Sequence, residues 1–223
     1  MSGEPLMPVV VVFAGSEPVS LALADRLPPL AGVIAADSGL RVASALGLRV
    51  DVLVGDLDSA PAELIDAAVA SGTVVERHPA EKDATDLELA FDAARVRGAQ
   101  RVVLVDGGGD RFDHLAGNLL LLASPAWAGM RVEAFFGTAR VAVARGGDPP
   151  IAIEGSPGDL VTLVPVGGPA RGIVTEGLRY PLVSETLAPG TTRGVSNEVV
   201  GTSASVRLDS GTLLVVEPFG GVR

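Results

Sequence analysis

Up to about residue 136 short β-branched and apolar runs alternate with segments carrying helical start and stop signals, and beyond that point the runs continue while the helical period disappears. An alternating strand and helix pattern leaves a chain few options, because parallel strands need long crossovers and those crossovers are right-handed. The spacing predicts an α/β fold with a doubly wound, mostly parallel sheet over residues 1–137. Its strands are expected at Val9–Ala14, Val33–Ala36, Val52–Val54, Thr73–Arg77, Arg101–Val105 and Arg131–Phe135, as continuous apolar runs of the kind buried on both faces. From 138 to 223 a smaller all-β sandwich or barrel is expected, with strands at Arg140–Ala144, Ile151–Ile153, Leu160–Pro165, Gly172–Glu176, Ser203–Leu208 and Thr212–Glu217. These are separated by Gly, Pro and Asp turns. The Gly146–Pro150 cluster reads as a turn or linker between the two parts or just inside one of them.

Charge and composition narrow the partners. A formal net charge of -10 argues against broad nucleic-acid binding and against a polybasic membrane anchor. Apolar residues are plentiful, yet no long run free of charge is present to span a bilayer. The chain enters Val9–Ala14 without a basic leader, so that run reads as a buried strand rather than a signal peptide. Cysteine is absent and only His78 and His114 are present, which points to a reducing cytoplasm and to a hard cation on oxygen ligands rather than zinc.

The acids fall at particular places. Asp37 follows the second expected strand, Asp56 and Asp58 the third, Lys82, Asp83 and Asp86 the fourth, and Asp106, Asp110, Arg111 and Asp113 the fifth. In an open parallel sheet these ends share one edge, where ligands bind. Asp56-Leu57-Asp58 supplies two carboxylates able to share a divalent cation, the number Mg2+ uses beside phosphate and water. The plainer reading is a turn in which Asp58 or Ser59 caps a helix starting near Pro61. Lys82-Asp83-Ala84-Thr85-Asp86 opens the best-marked helix, with Thr85 and Glu88 in capping-box spacing, Leu87, Ala90, Phe91 and Ala94 on one stripe and Gly98 at its end. That helix start suits a phosphate, with Lys82 as a point charge. Asp83 and Asp86 alternatively serve only as first-turn acids. Gly107-Gly108-Gly109 leads into a helix expected to bury Phe112, Leu115, Leu119 and Leu122, with His114 and Asn118 on another face. It is neither a Walker loop nor a dinucleotide fingerprint. In the second part, Ser196-Asn197-Glu198 reads by itself as a turn.

Six segments together resemble the thiamine pyrophosphokinase family: Ala-Asp-Ser-Gly at 36–39, Gly-Asp-Leu-Asp-Ser at 55–59, Lys-Asp-Ala-Thr-Asp at 82–86, Gly-Asp-Arg-Phe-Asp-His at 109–114 with Asn118, Gly-Leu-Arg-Tyr-Pro-Leu at 177–182 and Gly-Val-Ser-Asn-Glu at 194–198. The resemblance implies an α/β catalytic domain and a β-sandwich thiamine-binding domain. It also implies a homodimer whose active site lies at the subunit interface, and transfer of diphosphate from ATP to the thiamine hydroxyl with release of AMP. It further implies Mg2+ on Asp56, Asp58 and Asp86, with Asp37 close by. Lys82 and Arg111 then neutralise phosphate, Ser38, Asp83, Thr85 and Gly108 contact the nucleotide, Asp113 orients or deprotonates the hydroxyl, and His114, Asn118, Ser196 and Asn197 complete the substrate contacts. Leu57, Asp110 and Val199 depart from the family's common residues, the last standing where an aromatic is frequent. Two other readings are weighed. One is a non-catalytic thiamine- or nucleotide-binding module of the same fold. The other is a haloacid-dehalogenase-type phosphatase, disfavoured because Asp-Leu-Asp follows the third strand and precedes Ser59.

Overall fold

The computed structural model describes residues 8–15, 17–29, 32–109 and 111–218. The chain divides into two compact units, Met1–Leu121 with Gly129–Gly137, and Leu122–Ala128 with Thr138–Arg223. In the first unit β1 (Val9–Ala14), β2 (Gly32–Ala36), β3 (Val52–Gly55), β4 (Val74–Arg77), β5 (Arg101–Asp106) and β6 (Arg131–Phe136) alternate with α1 (Gly39–Ala45), α2 (Ala62–Ala70), α3 (Asp86–Val96) and α4 (Phe112–Leu122). The strands pair in parallel in the order β6-β5-β1-β2-β3-β4. Strand order therefore reverses between β1 and β5, with Ala14 opposite Asp106. That crevice is where an open α/β sheet takes its ligand.

Burial follows the apolar runs. Val10 through Phe13 and Val102 through Val105 are almost wholly excluded from solvent, and Val11, Phe13, Ala35, Leu40, Leu53 and Val105 join one core. α3 forms as its sequence predicts. Thr85 accepts the Glu88 N–H at 3.2 Å, Leu87, Ala90, Phe91, Ala93 and Ala94 are buried, and Gly98 ends the helix with φ +78°. Two expectations fail. Neither Asp58 nor Ser59 caps α2. Pro61 stands at its N-cap with no side-chain hydrogen bond, and the Ser59 hydroxyl instead donates to Asp58 at 2.8 Å. In α4 the expected apolar stripe is not buried as a unit: Leu122 is, whereas Phe112 is 78% exposed.

The second unit is antiparallel. β7 (Ala139–Arg145), β14 (Thr212–Glu217), β9 (Leu160–Pro165) and the short β12 (Asn197–Glu198) pair side by side. β8 (Ile151–Ile153), β13 (Ala204–Arg207), β10 (Ala170–Glu176) and β11 (Val183–Leu187) form a second sheet. One apolar cluster draws on both sheets, with Ala142, Leu163 and Val215 from the first meeting Ile153, Ile173 and Val206 from the second. The sequence leaves a sandwich or a barrel open, and two sheets sharing one apolar cluster make it a sandwich. β11 and β12 went unread in the sequence, being respectively polar and two residues long. Gly146 and Gly147 turn β7 toward β8 inside this unit.

Candidate active site

A cleft of about 880 Å³ opens along the carboxyl ends of the parallel strands, and the loops that line it are held close by glycines. Gly39 opens α1 so near β1 that a Cβ there would stand 2.1 Å from the Phe13 carbonyl oxygen. Gly55, with φ +145°, ends β3 between two acids: a Cβ would lie 3.1 Å from Asp86 Oδ1 and 3.2 Å from Asp37 Cβ. A side chain at 55 would thus intrude between the groups that the cleft brings together.

Asp37, Ser38, Asp56, Lys82, Thr85, Asp86, Gly108, Arg111, Asp113, His114 and Asn118 line this cleft. Asp58 is exposed at its edge, and carboxylate oxygens of Asp37, Asp56 and Asp58 lie within 4.8 Å of one another. Asp83 is exposed ahead of α3. The acids that gather are therefore Asp37, Asp56 and Asp58, while Asp86 faces Lys82, its Oδ1 3.0 Å from Nζ. Lys82 Nζ also stands 3.7 Å from Asp56 Oδ2.

The electrostatics follow from these contacts. Burial pushes the Asp37 carboxyl up, opposed by the neighbouring Ser59 side chain and the Ser38 backbone N–H and assisted by the charges of Asp86 and Asp56. The Asp58 N–H, at 3.2 Å, holds Asp56 below the usual carboxylate range, with help from Lys82. Burial pulls the Lys82 ammonium down, but the hydrogen bond to Asp86 and the charges of Asp86 and Asp56 together outweigh it and hold it above its ordinary value. Buried Asp37 Oδ1 meets no hydrogen-bond donor among the described residues. A buried oxygen without a donor beside convergent carboxylates suits a hard divalent cation, which binds through oxygen ligands.

Arg111 and Asp113 pair with each other, Nε to Oδ1 at 2.9 Å and Nη2 to Oδ2 at 2.6 Å, both well exposed. The bidentate guanidinium holds Asp113 far below the usual carboxylate range. A carboxylate so paired is a weak base, better suited to orienting a hydroxyl than to deprotonating it.

In the second unit Ser196, with φ +57°, is exposed, and Asn197 is buried. The Asn197 amide is occupied within the unit: Nδ2 donates to the Tyr180 carbonyl at 2.8 Å, and Oδ1 accepts the N–H groups of Tyr180 at 3.0 Å and Glu198 at 2.9 Å. Arg179 closes the same pair of segments through Glu198 at 2.7 Å. The two segments singled out at 177–182 and 194–198 are thus one knot. Val199 is buried, so it is a core residue. Asp110 lies outside the described residues.

Asp106 also lines the cleft, although the sequence marks it by nothing more than its position after the fifth expected strand. Glu17 and Arg41 also line the cleft. Nothing in their local sequence distinguishes them from ordinary surface charges.

The fold defines a class: α/β proteins with a ligand cleft at the carboxyl ends of parallel strands, here lined by convergent acids and a lysine. Residues 30–134 match the family described as thiamin pyrophosphokinase, catalytic domain, and residues 151–213 match thiamin pyrophosphokinase, vitamin B1 binding domain. The chain belongs to the thiamin pyrophosphokinase family. It is similar to a thiamine pyrophosphokinase of Bacillus subtilis, 23% identical over 162 residues, covering 73% of this chain and 75% of that one. A crystal structure of thiamine pyrophosphokinase from Bacillus subtilis superposes with a TM-score of 0.81 at 22% identity, covering 94% of this chain and 98% of the other. One from Geobacillus thermodenitrificans gives 0.75 at 26%, covering 94% and 95%.

Proposed function

We infer that this chain transfers diphosphate from ATP to the primary hydroxyl of thiamine, yielding thiamine diphosphate and AMP. The observation that carries the reading is that the segment matching the family's catalytic domain is the one whose cleft gathers Asp37, Asp56 and Asp58 and faces them with Lys82. The oxygen bond that forms is to the β-phosphorus, and the bond that breaks lies between the α- and β-phosphates. Such transfer asks the protein mainly for position and charge neutralisation. Asp56, Asp58 and Asp86, with Asp37 converging on the first two, are the side chains that would hold Mg2+, which supplies charge neutralisation on the polyphosphate. Asp86 keeps Lys82 charged and aimed into the cleft. Arg111, on an exposed loop, exchanges Asp113 for phosphate oxygens when the nucleotide binds, leaving Asp113 to orient the hydroxyl. Ser38, Thr85 and the Gly108 backbone are assigned to the nucleotide, with His114, Asn118 and the exposed Asp83 around it.

Residues 1–137 serve as the catalytic, ATP- and Mg2+-binding part and 138–223 as the thiamine-binding part. Asn197 acts there through Tyr180, the one exposed aromatic of the second unit among the described residues. With Val199 buried, Tyr180 is, among the described residues of the second unit, the aromatic exposed to stack on the thiamine rings, and the exposed Ser196 meets the aminopyrimidine. The working form is a homodimer, in keeping with the exposed Phe112 and Leu120 on α4. No helix among the described residues is long and apolar enough to cross a membrane, and the cytoplasm, where ATP and Mg2+ are supplied, is the proposed location.

The test is AMP release from ATP and Mg2+ with and without thiamine. Thiamine-dependent AMP and thiamine diphosphate are expected, and Asp56→Ala should lower turnover at least about a hundredfold with unchanged circular dichroism. Saturable binding of thiamine or nucleotide without any turnover would assign the chain instead to a binding module.

A further inference from the structure

Asp106 ends β5 at the place where strand order reverses, opposite Ala14 on β1. It is 7% exposed and lines the cleft. Its two oxygens have separate tasks. Oδ1 accepts the Gly108 N–H at 2.9 Å, which shapes the glycine turn, and Oδ2 accepts the Asn118 amide at 3.0 Å, which ties that turn to α4. The neighbouring loop leaves room for this carboxylate: Gly15 has φ +69°, and a Cβ there would lie 2.9 Å from Asp106 Oδ1.

The consequence falls on Asn118. An amide offers two N–H donors at one end and an acceptor at the other, and either end can face a neighbour. A carboxylate only accepts, so Asp106 fixes the nitrogen of Asn118 toward itself and leaves the carbonyl oxygen as the end not engaged with Asp106. We propose that Asp106 is a positioning residue that locks Asn118 as a hydrogen-bond acceptor, so that the cleft selects a ligand presenting a donor there. That donor is a hydroxyl or an exocyclic amine, and both the nucleotide and the thiamine of the proposed reaction carry such groups. This inference rests on that reaction for the identity of its ligands. The lock itself rests on Asp106, Gly108 and Asn118.

Reversing the polarity of the pair tests it. In Asp106→Asn the side chain at 106 keeps an oxygen for Gly108 but turns its amide toward Asn118, whose own amide must flip and present nitrogen to the ligand. Calorimetry with Mg2+ and the α,β-methylene analogue of ATP, and separately with thiamine, then reads each ligand alone. Asp106→Asn is expected to weaken one of the two about tenfold, the worth of one hydrogen bond lost plus one donor misdirected, and to leave the other within about threefold. Adding Asn118→Asp restores an acceptor to which the new amide at position 106 can donate, and binding should return to within about threefold of wild type. Unchanged binding of both ligands, equal weakening of both, or a double variant no tighter than the single would overturn the lock. Should Asp106→Asn fail to fold, Asn118→Leu at its half-buried helix position must weaken one ligand selectively, and unaltered binding there also overturns it. Wild-type turnover in the AMP assay is scored separately, so a failed lock in an active enzyme is distinct from a failed assignment of the reaction.

Discussion

Leu57 sits between two carboxylates with φ +66° and its side chain buried in the first unit's core. A left-handed leucine costs on the order of 1–2 kcal/mol, held in place by the packing around it. With Leu57 anchored inward, the flanking Asp56 and Asp58 are left to gather with Asp37, itself at φ +43°. Gly-Asp-Leu-Asp shows two neighbouring carboxylates in the sequence, but no sequence pattern announces the twisted leucine or the third acid from another loop. The price of gathering is borne by Asp37, whose carboxyl is raised chiefly by burial. A raised carboxyl stabilises the fold below its unfolded value and withdraws that stability as pH rises through its folded value. At pH 7 without divalent cations, Asp37→Asn should therefore melt higher than wild type, at about 2–4 °C for each kcal/mol relieved, and the gap should close toward pH 4. Adding Mg2+ should raise the wild-type midpoint more than the variant's. Calorimetric scans showing equal midpoints at pH 7, or equal Mg2+ shifts, would exclude this role for Asp37.

Among the elements, α3 and α4 show what local sequence can and cannot convey. α3 was legible because three independent signals agree: the Thr85 cap, a single apolar stripe and Gly98. α4 ends in Leu119 through Leu122 in succession, a last turn apolar on every side, so periodicity there could not say which of these leucines faces inward. The structure buries Leu122 and leaves Leu120 59% exposed. What secures the end of α4 is remote in sequence. Arg145 at the end of β7 donates to the carbonyls of Leu122 at 3.3 Å, Ala123 at 3.1 Å and Ser124 at 2.9 Å, satisfying oxygens that a helix end leaves orphaned. Since α4 begins with Asp113 and His114 and carries Asn118, this cap bears on the cleft. Arg145→Met keeps most of the volume and removes the donors. It should cost about 2–3 kcal/mol in urea unfolding. It should also raise protease sensitivity after Leu122 more than elsewhere. A change below about 0.5 kcal/mol would mean that water replaces the guanidinium without loss.

For the whole molecule the change from parallel to antiparallel pairing was legible where the helical period stops, because a parallel sheet needs crossovers and an antiparallel sandwich does not, whereas the grouping of Leu122–Ala128 with the second unit has no signal in the pattern. What the sequence could not convey is how a substrate reaches both. The acids and Lys82 belong to the first unit, the Tyr180 and Asn197 knot to the second, and the proposed reaction needs both groups. Whether one chain or two supply a site is decided by mixing variants. Take one chain disabled in the first unit by Asp56→Ala and another disabled in the second by Ser196→Arg, each inactive as a homodimer. If a site joins the first unit of one subunit to the second unit of its partner, a mixed dimer holds one site with both lesions and one with neither. Random reassociation of equal amounts makes half the dimers mixed, so activity should return to about a quarter of wild type. If each chain completes its own site, every site in the mixture carries a lesion and activity stays at the level of the parents. Co-refolding the two variants, with dimer formation checked by light scattering, separates these outcomes, and a mixture as inactive as its parents would place each site within a single subunit.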